Sequence, residues 1–294
     1  MFVAGQHQTG VIPPMLFVGP KGQGKTSVAK AVGSELKNLD GSNRKLITIN
    51  CASIRRASFS TFAEEVIDTY VTDQEVTLFF DEASEISADI MMALLTILEP
   101  NQEDKTTFVK GHHSYSFDFS KTSFMFATTE PHKMFHALRD RLERIDLEEY
   151  SPMQLAQIML LNTDIQIEEE ILVEVASVLR GNARKATQMA KHIKNYLSGN
   201  GGGLFGQNEW NGFKTAMGIN PLGLSPMEIK VLKCLQSRYE TTLTVLSALT
   251  GMTKNSLQQD GESYLQKLSL IEIHPTGRRL SAKGKSYLIN LEKQ

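Results

Sequence analysis

The feature that most constrains this sequence is Gly19-Pro20-Lys21-Gly22-Gln23-Gly24-Lys25-Thr26, which stands directly after the apolar run Met15-Leu16-Phe17-Val18. GxxxxGK[ST] between a strand and a helix is a phosphate loop. Its glycines let backbone N–H groups close around phosphate oxygens, and the helix N-terminus that follows adds positive potential. In this reading Gly19 to Ser27 form the nucleotide cradle, Lys25 reaches the β- and γ-phosphates, and the Thr26 hydroxyl ligates Mg²⁺. Such a loop needs a strand behind it and a helix in front, which commits the chain to an α/β architecture.

Three further apolar runs fit buried strands of a parallel sheet: Leu46–Ile49, Val76–Phe80 and Ser123–Ala127. Helical patterns lie between them. One begins at Lys25; another covers Ser87 to Glu99, with Ser87 as its cap, Met91, Leu94, Leu95 and Leu98 on one face, and Pro100 as its stop. From Tyr150 the pattern is helical only, with expected helices at Pro152–Leu161, Glu168–Leu179 and Ala183–Leu197. The glycine-rich stretch 198–203 reads as a flexible break, and a short helix is expected near Glu209–Met217. From Leu222 a small helical unit ends in the strand-like Leu270–Ile273 and a turn at Pro275-Thr276-Gly277. The expected domains are therefore 1–149, 150–221 and 222–294.

The acidic partner of the loop closes the third apolar run. Asp81-Glu82 emerges where a parallel strand ends, beside the nucleotide crevice. Asp81 is expected to hold Mg²⁺ through water, and Glu82 to orient and polarise an attacking water, which favours ATP hydrolysis over binding alone. The fourth run ends in Thr128, whose hydroxyl is a candidate contact for the γ-phosphate or that water. Taken alone, Thr128 reads as an ordinary strand-end threonine. Leu138-Arg139-Asp140-Arg141 reads either as a surface ion pair or as an arginine finger for a neighbouring subunit. Arg184, in Arg180-Gly181-Asn182-Ala183-Arg184, is placed to reach back over the nucleotide.

Charge bears on partners. The whole chain carries −2, but residues 222–294 hold ten Lys/Arg against six Asp/Glu. A basic tail on an acidic body permits local contact with a phosphate backbone, or is plain surface variation. Cys51 and Cys234 form no CxxC pair, and no long apolar segment or leader pattern is visible, so a cytoplasmic protein without a membrane span is expected. His112-His113 lacks the spacing of a zinc site, and Trp210 reads as a packing residue.

Together, the phosphate loop, Asp-Glu, a polar strand end, LRDR and a helical region with GxxR resemble the AAA+ ATPases. More narrowly, Pro13-Pro14-Met15-Leu16 leading into the loop, Phe126-Ala127-Thr128-Thr129-Glu130-Pro131, Leu138–Leu142, Arg180–Arg184 and the segment Tyr264–Arg278 resemble the RuvB family of Holliday-junction branch-migration motors. The resemblance runs in order from about Pro13 to Leu288. It departs from the family pattern at Lys21, Gln23 and Glu130, and 18 residues precede Gly19.

The resemblance implies an AAA+ parallel-sheet core, a helical lid and a C-terminal winged-helix domain. It implies Thr128 as first sensor, Arg141 as arginine finger, Arg184 as second sensor, and Arg278 with Arg279 as DNA contacts. It further implies ATP and Mg²⁺ as cofactors, double-stranded DNA at a Holliday junction as substrate, and a hexameric ring. A RuvA-like partner would dock on the hairpin Lys105–Phe119 through Phe108, Val109, Tyr115 and Phe117; the hairpin with no partner is an equal reading. The alternative function is an AAA+ DNA-binding switch or loader that does not translocate.

Overall fold

A computed structural model describes residues 10–99, 105–110 and 113–292. The chain divides into two compact units: residues 1–151 with 181–185, and residues 152–180 with 186–294.

In the first unit the apolar runs become the strands that hold the loop. The elements in chain order are β1 (Met15–Val18), α1 (Lys25–Glu35), β2 (Lys45–Asn50), a helical stretch α2 over 59–70, β3 (Val76–Asp81) and α3 (Ala88–Ile97). They are followed by β4 (Lys105–Lys110), β5 (His113–Asp118), β6 (Thr122–Thr128), the single turn α4 (His136–Arg139) and β7 (Glu143–Asp146). Five strands form one sheet in the order β2-β3-β6-β1-β7, all parallel.

β1 and β6 are buried at every position and β3 at all but Asp81, as expected where both faces of a parallel sheet are covered. Alternate side chains feed two cores. Leu78, Phe80 and Phe126 meet Ile67 and Ile90 on one face, with the Phe80 and Phe126 rings stacked at 4.9 Å. Phe17, Phe79 and Met125 meet Ala29 on the other. The Ser87 side chain accepts from the Ile90 amide and so caps α3. Pro100, the expected stop of that helix, lies outside the described residues.

β4 and β5 pair antiparallel from Lys105↔Asp118 to Lys110↔His113, so the expected hairpin forms. Two of its aromatics pack against the first unit's core. Phe108 packs on Phe59 with ring centroids 4.4 Å apart, and Phe117 is buried in the sheet core. Phe117 is committed to this chain's interior, which corrects its reading as a partner contact, while Phe108 is half-buried against the same core. Val109 is exposed at 75%. The Tyr115 and His113 side chains and the whole of His112 lie outside the described residues.

The second unit holds α5 (Pro152–Leu161), α6 (Glu169–Ser177), most of α7 (Ala183–Gly199) and α8 (Gln207–Met217). Trp210, Phe205 and Phe213 fill its interior with edge and stacked ring contacts, as the packing role of Trp210 requires. It also holds α9 (Pro226–Gln236), α10 (Leu243–Thr250), the helical stretch α11 over 254–267, the hairpin of β8 (Ile271–His274) and β9 (Gly277–Leu280), and α12 (Ala282–Leu291). Val231, Leu235, Leu246, Leu257 and Leu265 form the core of this part. Among the described residues no helix is long and apolar enough to cross a membrane.

Candidate nucleotide site and winged-helix module

The loop from Gly19 to Thr26 turns from the end of β1 into α1. Gly24 holds the αL conformation (φ 78°) at the helix start and Gly22 a φ of 86°, values that L side chains rarely adopt. A Cβ on Gly22 would also collide with the Asn182 side chain, so the loop backbone is used bare. Lys25 opens α1, and its Nζ donates to the carbonyls of Gly19 (2.8 Å) and Pro20 (2.9 Å). Burial lowers the Lys25 pKa from its ordinary value; Asp81 opposes the shift and the Arg184 charge adds to it, so both groups lie within electrostatic reach of the ammonium. Gln23 is buried, Lys21 is exposed, and Ser27 is exposed on α1.

The Thr26 Oγ1 donates to Asp81 Oδ2 at 2.9 Å. Asp81 is the last residue of β3, in register with Asn50 and Ala127. Glu82 follows with φ 58°, an αL conformation that costs a non-glycine residue energy and clusters at functional sites. It is exposed, and its amide donates to Asp81 Oδ1 at 3.1 Å. Thr128 is buried at the end of β6, in register with Val18 at the root of the loop, and its hydroxyl accepts from the Glu130 amide at 3.0 Å.

The segment carrying Arg184 belongs to this unit. The Arg184 amide donates to Gly22 O at 3.2 Å and its side chain is exposed. Two residues that sequence reasoning missed stand beside it. Asn182 Nδ2 donates to Lys21 O (3.0 Å) while its Oδ1 accepts from the Lys185 amide, so it caps the start of α7 and grips the loop at once. The Tyr150 hydroxyl reaches Gln23 O at 3.4 Å, and its amide bonds Gly181 O. Asn182 carried a readable signal as an N-cap type just before a helix; Tyr150 carried none.

A triphosphate and a divalent cation fit these residues. The bare αL backbone supplies amides and Lys25 a cation, while the Thr26 hydroxyl and Asp81 carboxylate, already 2.9 Å apart, are the hard oxygen donors that Mg²⁺ takes.

Arg141 is engaged within its own chain. It donates to Ala137 O at 2.7 Å and pairs with Glu99, and its side chain is 21% exposed. Arg139 Nε is buried without a hydrogen-bond partner among the described residues.

The wing revises one expectation. Arg278 lies on β9, but its guanidinium turns inward: Nε donates to Glu262 Oε1 at 2.8 Å and a terminal nitrogen to Oε2 at 3.3 Å, with the two side chains 13% and 2% exposed. Its backbone bonds Thr241 in both directions. Arg278 thus ties the wing to α11 and is not a surface cation. Arg279 faces the other way, partly exposed, and bonds Glu272 at 2.8 Å.

Comparisons with known proteins match two segments of the chain. Residues 15–153 match the family model of the ATPase family associated with various cellular activities (AAA), and residues 221–289 match that of the RuvB C-terminal winged helix domain. The chain is similar to the Holliday junction branch migration complex subunit RuvB of Campylobacter jejuni strain RM1221, at 26% identity over 99% of this chain and 86% of the relative. It is similar to that of Campylobacter hominis, at 27% identity over 96% and 82%. The fold is shared with the Thermotoga maritima RuvB branch migration motor, with a TM-score of 0.74 at 21% identity over 98% of this chain and 91% of that one. Two matched modules, in one order, on one fold, give this chain an AAA ATPase domain followed by a RuvB-type C-terminal winged-helix domain.

Proposed function

We propose that this chain is an ATP-driven motor of the RuvB type that moves duplex DNA during branch migration of Holliday junctions, acting as a ring with a RuvA-like partner. The observation that carries the reading is the 2.9 Å bond between Thr26 of the phosphate loop and Asp81 at the end of β3, with Lys25 beside it. The bound nucleotide supplies the phosphoanhydride whose cleavage drives movement. Gly19 to Ser27 cradle its phosphates, Lys25 neutralises charge on the transferred group, and Thr26 with Asp81 holds Mg²⁺. Glu82 orients and polarises the attacking water. The Thr128 hydroxyl, fixed beside the loop root, reads the terminal phosphate, and Arg184 closes the site from the Gly181–Lys185 segment.

Arg141 acts in a neighbouring subunit, where it stabilises charge in the transition state; this requires its release from Glu99. The winged-helix module grips DNA mainly through phosphates, since a translocating motor must be indifferent to sequence. The domain plan that fits is a core over 1–149, a lid over 150–221 and a winged helix over 222–294.

The test is a synthetic four-way junction with ATP or a non-hydrolysable analogue. Resolution of the junction into duplex arms with ATP alone supports the motor. ATP turnover with no movement, with and without a RuvA-type protein, replaces it by a DNA-bound switch.

A further inference from the structure

The chain crosses between its two units at three places, and at one of them a side chain is anchored beside the crossing. Arg180 closes the run 152–180 of the second unit, and Gly181 opens the segment 181–185 that belongs with the phosphate loop. Both residues take the αL conformation, Arg180 at φ 59° and Gly181 at φ 66°. An arginine keeps that conformation only where its surroundings impose it, because its Cβ crowds the backbone there. On the Gly181 side the contacts belong to the nucleotide site. Gly181 O accepts from the Tyr150 amide, Asn182 bonds Lys21 O, and the Arg184 amide bonds Gly22 O.

On the other side the Arg180 guanidinium runs into the winged-helix part of its own unit. Its Nε donates to Gly223 O at 2.9 Å, and its two terminal nitrogens donate to Glu228 Oε1 at 2.9 Å and Oε2 at 2.6 Å. Tyr264 of α11 sets its ring against the same group, with Arg180 Cζ 4.0 Å from the ring centroid. The Arg180 and Glu228 side chains are 14% and 1% exposed, so this bidentate pair is largely shielded from water. Glu228 is itself fixed. It stands at the third position of α9, and its Oε2 also accepts from the Ser225 amide and hydroxyl, closing a capping box. The stretch before it is folded on Asn220, which bonds Leu224 in both directions and accepts from the Tyr287 hydroxyl of α12. One arginine therefore meets the start of α9, the ring of α11 and the segment that leads into the module.

We propose that Arg180 is the positioning residue that couples the nucleotide site to the winged-helix module: a change in the grip of Asn182 and Arg184 on the phosphate loop reaches α9 and α11 through the Arg180 backbone and its forked bond to Glu228. The inference rests on the reading of the chain as an ATP-driven DNA motor and names a residue to which that reading gives no role. A bidentate guanidinium–carboxylate pair transmits direction as well as attraction, because its planar fork fixes the angle between the two groups. An ammonium keeps the charge and loses the angle. Coupling of this kind is reciprocal: nucleotide changes DNA affinity, and DNA changes nucleotide affinity, by the same factor. A bond that merely holds the module together adds to stability and leaves that factor alone.

The experiment uses the full chain and measures affinity for a duplex with and without AMP-PNP and Mg²⁺, then affinity for AMP-PNP with and without duplex. The wild type should give the same ratio in both directions, about fivefold or more. Arg180→Asn combined with Glu228→Gln removes both charges together, so neither is stranded, and asparagine tolerates the αL backbone. This double variant should bind each ligand alone as the wild type does, while the ratio falls towards unity. Arg180→Lys should lower the ratio too, because one ammonium cannot hold both Glu228 oxygens and Gly223 O in the fork geometry. Thermal melting checks that each variant is folded, and Arg180→Lys, which leaves no buried charge unpaired, carries the test if the double variant is not. Folded variants with the wild-type ratio overturn the coupling role and leave Arg180 as a structural ion pair. A wild type that binds both ligands with no mutual effect overturns it as well, with the motor reading left standing on turnover and junction movement. A wild type with no affinity for duplex or for AMP-PNP overturns the motor reading, and this role with it.

Discussion

At the scale of single residues, the site is built from groups whose neighbours restrict what they can do. Lys25 bonds two loop carbonyls, Thr26 bonds Asp81, and Glu82 sits in a backbone conformation that a non-glycine residue seldom takes. Cys51 illustrates the opposite fate. It lies at the end of β2, fully buried, with its amide on the Asp81 carbonyl. Burial first, then the Asp81 and Glu82 charges, push its thiol pKa up, so it stays protonated and unreactive. Thiol titration of the native protein at pH 8 should therefore modify Cys234, which is half-buried, well before Cys51, with both reacting after denaturation. Fast labelling of Cys51 in the native state would mean that the ends of β2 and β3 open readily.

Most of these residues were legible in the sequence because the phosphate loop and Asp81-Glu82 are short motifs with fixed chemistry. Arg278 was not. A cation after a turn looks the same on paper whether it meets solvent or a buried carboxylate sixteen positions earlier, and only the packing of Glu262 on α11 distinguishes the two.

At the scale of elements, the strands were readable wherever both faces are buried, since continuous apolar runs leave little choice. β7 escaped notice because Glu143-Arg144-Ile145-Asp146 is a polar edge strand, held by its register with β1 and not by hydrophobicity. The hairpin of β4 and β5 was expected as an element, but its aromatic residues alone could not say which core they would join.

The wing gives a quantitative expectation at this level. Breaking a buried ion pair by removing one partner strands the other charge and costs about 3–5 kcal/mol. Arg278→Ala should lower stability by that amount in denaturant unfolding, whereas Arg278→Met with Glu262→Leu should cost much less. A cost below about 1 kcal/mol for Arg278→Ala would show that the pair is not buried and would return Arg278 to the surface.

For the whole molecule, the order of modules was readable from spacing and from the change to all-helical pattern near Tyr150. The segment Gly181–Lys185, by contrast, belongs with the ATPase core although its flanks do not. Sequence order cannot express that, because it depends on Asn182 and Arg184 bonding the phosphate loop.

Assembly adds a prediction of its own. If Arg141 serves a neighbour, Arg141→Ala and Lys25→Ala are each inactive alone but complementary: mixed rings contain interfaces with an intact loop on one side and an intact finger on the other. Mixing the two should restore part of the ATP turnover, and no recovery across a range of ratios would confine Arg141 to its contact with Glu99.

The central claim is that Asp81 and Glu82 face the phosphate loop as one hydrolytic centre. Its most direct test compares ATP affinity and ATP turnover in the wild type and in Glu82→Gln. The account predicts affinity kept within a few-fold and turnover reduced by about 10²–10⁴-fold, the range a positioned acid–base group contributes. Turnover in Glu82→Gln equal to that of the wild type, or a wild type with no affinity for ATP, would contradict it.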